Sequence, residues 1–198
     1  MSGFKPVLWL VGTTACVFVV VRLLLGVTIV VVGDPMMAPA LPSRDWIVSV
    51  SRFPAPSPGD VVVVDVQGGQ QVRRVVATGG QTVRFRRGIL HVEGVAMTLA
   101  KAGSEVRFSV KRADVGVEER RANVHRETVG SVSYDVFVNP RRKPSTKAKT
   151  VPEGHVFVAC DNRAHCRDSR HFGTVPVPRV VAMRAQDALR RALSSQSP

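Results

Sequence analysis

What most limits the fold of this chain is the run "PVLWLVGTTACVFVVVRLLLGVTIVVV", residues 6–32, in which Arg22 is the one charge. Residues 6–21 supply 16 apolar or small residues, a little short of the roughly 20 that cross a bilayer as a helix. Continuing past Arg22 reaches that length, because an arginine near a helix end can snorkel to the interface. The run predicts a membrane anchor. The competing reading is a cleaved signal peptide, which would have a shorter apolar core followed by an A-x-A-like site. Flanking charge orients the anchor only weakly, with Lys5 and the amino terminus on one side and Arg22 and Arg44 on the other.

Past the run the pattern changes to short valine-rich segments separated by Gly and Pro. "WIVSVSRF" (46–53) and "DVVVVDV" (60–66) read as strands, "QGGQ" as a hairpin turn, and "QVRRVVA" (71–77) as the partner strand. "TVRFRRGILHVEGVAM" adds two short strands around Arg87-Gly88, so residues 46–98 are expected to form one continuous β-meander. Residues 100–150 hold most of the charge runs, with strand patterns at "EVRFSV" and "SVSYDVFV" and a basic, Pro/Ser/Lys-rich loop at 139–149. This looks like a hairpin excursion. "GHVFVAC" and "RVVAMRA" are further strands, and "QDALRRAL" ends the domain as a short helix.

The net charge of +13 is compatible with nucleic acid, anionic lipid or a solvated surface. The basic loop lacks interleaved aromatic residues, so no nucleic acid is expected. Of the three cysteines, Cys16 lies in the apolar run, while Cys160 and Cys166 bracket "CDNRAHC". In an oxidising compartment these two would close a small disulfide loop; in the cytosol they would be metal ligands beside His165. A metal needs about four ligands and no second cluster supplies them, which favours the disulfide over a metal. No cofactor is implied.

Four segments, in order, resemble the boxes of the type I signal peptidase family. "MMAPAL" (36–41) is similar to its Ser-Met-x-Pro-Thr-Leu box, and "PGDVVVV" (58–64) to its Arg-Gly-Asp strand. "RRVVATGGQTV" (73–83) resembles Lys-Arg-Val-Val-Gly-x-Pro-Gly-Asp, and "CDNRAHCRDSRHFGTVP" (160–176) resembles Gly-Asp-Asn-x-x-x-Ser-x-Asp-Ser-Arg-x-Phe-Gly-x-Val-Pro. The resemblance covers roughly residues 6–185 and is of the Gram-negative kind. It implies a mainly β fold: an N-terminal transmembrane helix, a coiled antiparallel β-sheet domain of signal peptidase type, and a short C-terminal helix. The division implied is 1–22 as cytoplasmic head and anchor, 23–190 as the β domain with 100–150 a variable excursion, and 191–198 as a tail. Residues 23–32 then become strand, and Arg22 marks the outer interface. The place implied is the inner (cytoplasmic) membrane, crossed once, with the main domain on the periplasmic face. There the Cys160–Cys166 pair could oxidise.

The family's chemistry needs a serine nucleophile and a lysine kept neutral by burial, with an oxyanion hole completed by a nearby hydroxyl. The resemblance puts Met36 at the nucleophile, Arg73 at the base, Asp34 at the oxyanion hydroxyl and Cys166 at the serine that supports the lysine. A thioether has no proton to lose, and a guanidinium stays protonated. An Asp34–Arg73 ion pair is expected to fill the vacated positions. The scaffold residues Pro39, Leu41, Asp161, Asn162, Asp168, Ser169, Arg170 and Gly173 remain, with Asp168 and Arg170 read as a structural pair.

Three functions follow. The first is a degenerate relative that binds a preprotein or other extended peptide segment at the membrane lipid surface. The second is an active signal peptidase with an atypical dyad, such as Cys166 with His165 or His171; Ser43, Ser49 and Ser51 lie too far along the chain. The third is a tethered basic module for anionic partners.

Overall fold

The computed structural model describes residues 24, 26–33, 35–66, 68–112, 116–139, 141 and 143–194. The expected anchor, Arg22 and Asp34 lie outside the described residues. Among these residues no helix is long and apolar enough to cross a membrane.

Strands dominate, in three antiparallel sheets. The largest sheet has seven strands: β1 (Val27–Val31), β2 (Trp46–Val50), β3 (Val61–Val66), β4 (Gly69–Thr78), β12 (His155–Ala159), β13 (Val175–Pro176) and β14 (Val180–Arg184). Their order across it is β1-β2-β14-β3-β4-β12-β13. A four-stranded sheet holds β5 (Thr82–Arg86), β6 (Ile89–Val92), β7 (Val95–Ala96) and β11 (Lys149–Thr150), in the order β11-β5-β6-β7. A three-stranded sheet holds β8 (Thr98–Arg112), β9 (Gly116–Val129) and β10 (Val132–Val138), with β9 in the middle and β8 at an edge. Helix α1 (Ser169–Phe172), helix α2 (Ala185–Ser194) and two 3-10 turns, Pro35–Met37 and Val177–Arg179, complete the described elements.

The expected continuous meander over 46–98 is corrected here. β14 inserts between β2 and β3, and β5–β7 leave the large sheet for their own. The cause is non-local pairing. Met183 faces Val50 on one side and Val62 on the other, a partnership that no short-range turn signal encodes. The excursion also holds more strand than expected, because the charged stretch 116–129 is itself the central strand β9.

The valine run of β3 explains the layering. Successive side chains of a strand face opposite ways. Val61 and Val63 join a core with Val32, Met37, Leu41, Ile47, Val72 and Ala182, whereas Val62 and Val64 join a second core with Val75, Val158 and Met183, which reaches Ala188 of α2. All four valines are buried, and each full burial is worth about 1.5–3 kcal/mol relative to exposure. A third core, around Phe85, Leu90, Val136 and Phe157, ties the three sheets together.

One ion pair crosses these layers. Arg74 of β4 and Asp161, just past β12, are both buried. Arg74 Nε donates to Asp161 Oδ1 at 2.8 Å and Nη2 to Oδ2 at 2.6 Å. Its Nη1 donates to the Gly59 carbonyl at 2.8 Å, and its guanidinium lies 3.9 Å from the Tyr134 ring centre. Burial alone would lower the arginine's proton affinity, but the Asp161 charge and hydrogen bonds outweigh it and hold it fully charged. Gly59 has φ +98°, and an added Cβ would meet Val132 at 2.7 Å. That close approach brings its carbonyl to Arg74.

Removing one partner leaves an uncompensated buried charge. Asp161→Asn and Arg74→Ala should therefore each lose about 3–5 kcal/mol of unfolding free energy, as read from urea denaturation followed by circular dichroism. A loss within experimental error in both would show that the pair does not hold the layers.

Candidate functional site

The segment between β1 and β2 is a closed loop. Val32 N–H donates to the Asp45 carbonyl at 2.8 Å and Arg44 N–H returns to the Val32 carbonyl at 2.8 Å. Inside it, Pro35–Met37 make one 3-10 turn, a start that suits proline's fixed φ. Leu41 N–H then donates to the Met37 carbonyl at 2.8 Å. Met37 and Leu41 are buried in the core below. Met36, one residue earlier, is half-buried and lines a cavity on the other side. Pro39 pairs with Val136 as an isolated bridge. Asn162 pins the turn from the opposite loop: its N–H donates to the Met36 carbonyl at 2.9 Å, and its side-chain amide to the Pro35 carbonyl at 3.1 Å.

Arg73 arrives from β4. It stands beside Arg74 in sequence, so the pleat sends the two arginines to opposite faces, and both are buried. Arg73 Nη2 lies 3.1 Å from Met36 Sδ. Its Nη1 donates to the Val72 carbonyl at 2.6 Å, Nη2 to Gln71 Oε1 at 2.6 Å, and Nε and Nη2 to the Arg167 carbonyl at 3.2 and 3.1 Å. The two positions that the family resemblance assigns to nucleophile and base are thus in contact. The groups that meet there are a weak thioether acceptor and a permanently charged donor. Neither can take a proton or attack a carbonyl. Asp34 lies outside the described residues, and with it the expected ion pair to Arg73.

The loop after β12 is fixed by two devices. Cys160 and Cys166 form a disulfide, with Cα atoms 6.1 Å apart, within the range such bonds need. Cys166 therefore offers no thiol to His165 or His171 for the alternative Cys–His dyad, and the disulfide sulfurs are closed to a metal. Asp168 is the second device. It caps α1, accepting from Arg170 N–H at 3.0 Å, from Arg170 Nε and Nη2 at 2.9 Å each, and from Cys160 N–H at 3.2 Å. Burial pushes the carboxyl up, but hydrogen bonding from His171 and Arg170, with the Arg170 charge, holds it well below the usual carboxylate range. Ser169 Oγ accepts from Val158 N–H at 3.0 Å. Gly173, at φ +88°, ends the helix by donating to the Ser169 carbonyl at 3.1 Å.

Sequence reasoning missed three residues around this loop. Tyr134 O–H donates to Glu127 Oε2 at 2.7 Å, and Arg163 Nη2 donates to the same oxygen; Glu127 and Arg163 form a buried ion pair. Burial and the Glu127 charge hold the Tyr134 phenol well above its usual range, so it remains the donor. Glu127 was hidden in a charge run that shows no strand pattern. The available signal was its position in a strand, where every second side chain faces inward.

These boxes, their order and their convergence on one loop define a peptidase scaffold of the signal-processing kind. The chain belongs to the signal peptidase family: it matches "Signal peptidase, peptidase S26" over residues 5–186. Part of it is similar to mitochondrial inner membrane protease subunit 1 of Schizosaccharomyces pombe, with 36% identity over 64 residues, which is 32% of this chain and 40% of that protein. The match thus spans less than half of that relative's length. A signal peptidase I of Enterococcus faecalis, known from a crystal structure, is 20% identical with a TM-score of 0.41, over 67% of this chain and 98% of that one.

Two measurements check the loop. Reducing the disulfide, which closes a loop of sequence separation 6, should lower stability by about 2 kcal/mol from loop entropy, seen as a lower urea midpoint in dithiothreitol; an unchanged midpoint would show the crosslink to be idle. Asp168 has a depressed folded pKa, so its contribution is complete above its ordinary value of 3.8 and declines as pH falls below it. Unfolding free energy should therefore drop between about pH 4 and pH 2, and Asp168→Asn should show a smaller drop. Equal slopes for both proteins would remove Asp168 from the account.

Proposed function

We propose that this protein is a membrane-bound relative of signal peptidases that holds an extended peptide or preprotein segment without cutting it. The observation that carries the reading is the contact at 3.1 Å between Met36 Sδ and Arg73 Nη2, at the positions where the family resemblance requires serine and lysine. The scaffold that would present the nucleophile is intact around them. Asn162 still clamps the turn, and Asp168 still caps the supporting helix. Among the described residues lining the cavity at Met36 there is no serine and no lysine. Peptide capture along an exposed strand edge needs main-chain hydrogen bonds and no nucleophile.

A second feature supports placement at a membrane. Ile29 pairs with Val48 and Val31 with Trp46 across β1 and β2, and these four apolar side chains face solvent, with Ile29 69% and Trp46 61% exposed. An apolar patch of this kind, on strands that follow an apolar stretch of the sequence, suits insertion at the interface, where tryptophan is favoured. On the family resemblance, that interface is the periplasmic face of the inner membrane.

The test is cleavage of a preprotein by the purified full chain in detergent, beside the Met36→Ser, Arg73→Lys double variant. The wild-type chain should bind the preprotein in a pull-down and leave it uncut, and the double variant should release a processed product at a measurable rate. Cleavage by the wild-type chain would overturn the reading. Failure of either protein to bind would overturn the peptide-holding reading.

A further inference from the structure

The cavity beside Met36 has a volume of about 450 Å³, which is ample for a side chain of a bound segment. Its wall is cationic. Arg120 comes from β9, Arg163 and Arg167 from the disulfide-closed loop and its exit, and Arg170 from α1. Among the described lining residues there is no aspartate or glutamate. The carboxylates that pair with the arginines, Glu118, Glu127 and Asp168, are not among the lining residues. They account for three of the four guanidiniums. Arg167 is exposed and has no carboxylate partner among the described residues.

The balance is incomplete inside the wall too. Arg163 is 8% exposed and gives Nη2 to Glu127, yet its Nε and Nη1 are buried with no hydrogen-bond acceptor in the protein, as is Arg120 Nε. Buried donors left unpaired cost about 1–3 kcal/mol each. A cleft with one sign of charge and low-dielectric walls concentrates the opposite sign within it. Guanidinium forks are shaped for carboxylates.

We propose that this cavity receives the carboxylate of an Asp or Glu side chain in the peptide segment lying past Met36, so that the groove selects acidic segments. The proposal rests on the peptide-holding reading above and adds the chemistry of what is held. A phospholipid headgroup would offer a similar charge. Two observations favour the peptide. Met36, the position that the family resemblance assigns to the nucleophile, is part of the wall, and nothing from β1 or β2 is, although those strands carry the exposed apolar patch.

The experiment uses the full chain in detergent and short fluorescein-labelled, alanine-rich peptides carrying one Glu at successive positions, each matched by its Gln counterpart, with binding read by anisotropy. At one or two adjacent positions the Glu peptide should bind about tenfold tighter than its Gln counterpart, with the difference shrinking as salt rises. Arg167→Ala should bring that Glu peptide down to the affinity of the Gln peptide. Arg167 is exposed, so the variant is expected to fold. Equal affinities at every position would overturn the cavity's role while leaving the groove intact. Absence of binding by any peptide would overturn both. If Arg167→Ala instead weakens binding to phosphatidylglycerol vesicles and leaves the Glu preference unchanged, the cavity reads lipid and the proposal fails.

Discussion

The bidentate bond between Arg74 and Asp161 is the constraint on which the site depends. It joins the middle of β4 to the second residue past β12, buried between cores. The immediate neighbours of both partners are the residues that matter at the surface. Arg73, next to Arg74, touches Met36; Asn162, next to Asp161, holds the main chain on either side of Met36. A shift of the buried pair would therefore move both walls of the turn at once. An ion pair this deep adds little net stability over a well-packed apolar alternative. Its contribution here is register: it sets which residue of β4 stands opposite which residue of the loop.

Much of this was legible in the sequence, and the parts that were not share a cause. The strands β2, β3, β4 and β12 are written in local patterns of valine runs and Gly and Pro punctuation, and the Asp168–Arg170 pair in the resemblance, whereas the short helix that Asp168 caps was not read. What escaped was non-local. The insertion of β14 between β2 and β3 depends on Met183 meeting Val50 and Val62. The inward turn of Glu127 depends on Tyr134 and Arg163, which lie elsewhere in the chain. The paired arginines of β4 were visible as a dipeptide, but only the structure separates the one that holds the layers from the one that touches Met36.

The contact of Arg73 with Met36 sits in a largely polar setting. The guanidinium is satisfied mainly by carbonyl oxygens, those of Val72 and Arg167, and by the Gln71 amide. The two carbonyls are fixed by backbone geometry, whereas the Gln71 amide is a side-chain acceptor. The larger charged group fits because the main chain already points oxygens at it. The thioether fills the remaining space at little polar cost.

The β8 strand has a consequence of a different kind. It is 15 residues long and forms the open edge of its sheet, so one row of its backbone groups faces outward. A bare edge of that length invites a second copy to add its own strand. Here Lys101, Glu105 and Arg107 are exposed along it, and its pairing with β9 slips between Lys101 and Glu105. Charge and a break in register are the devices by which natural sheets refuse such additions. The long strand can therefore lie at a sheet edge without turning the protein into a seed for its own aggregation.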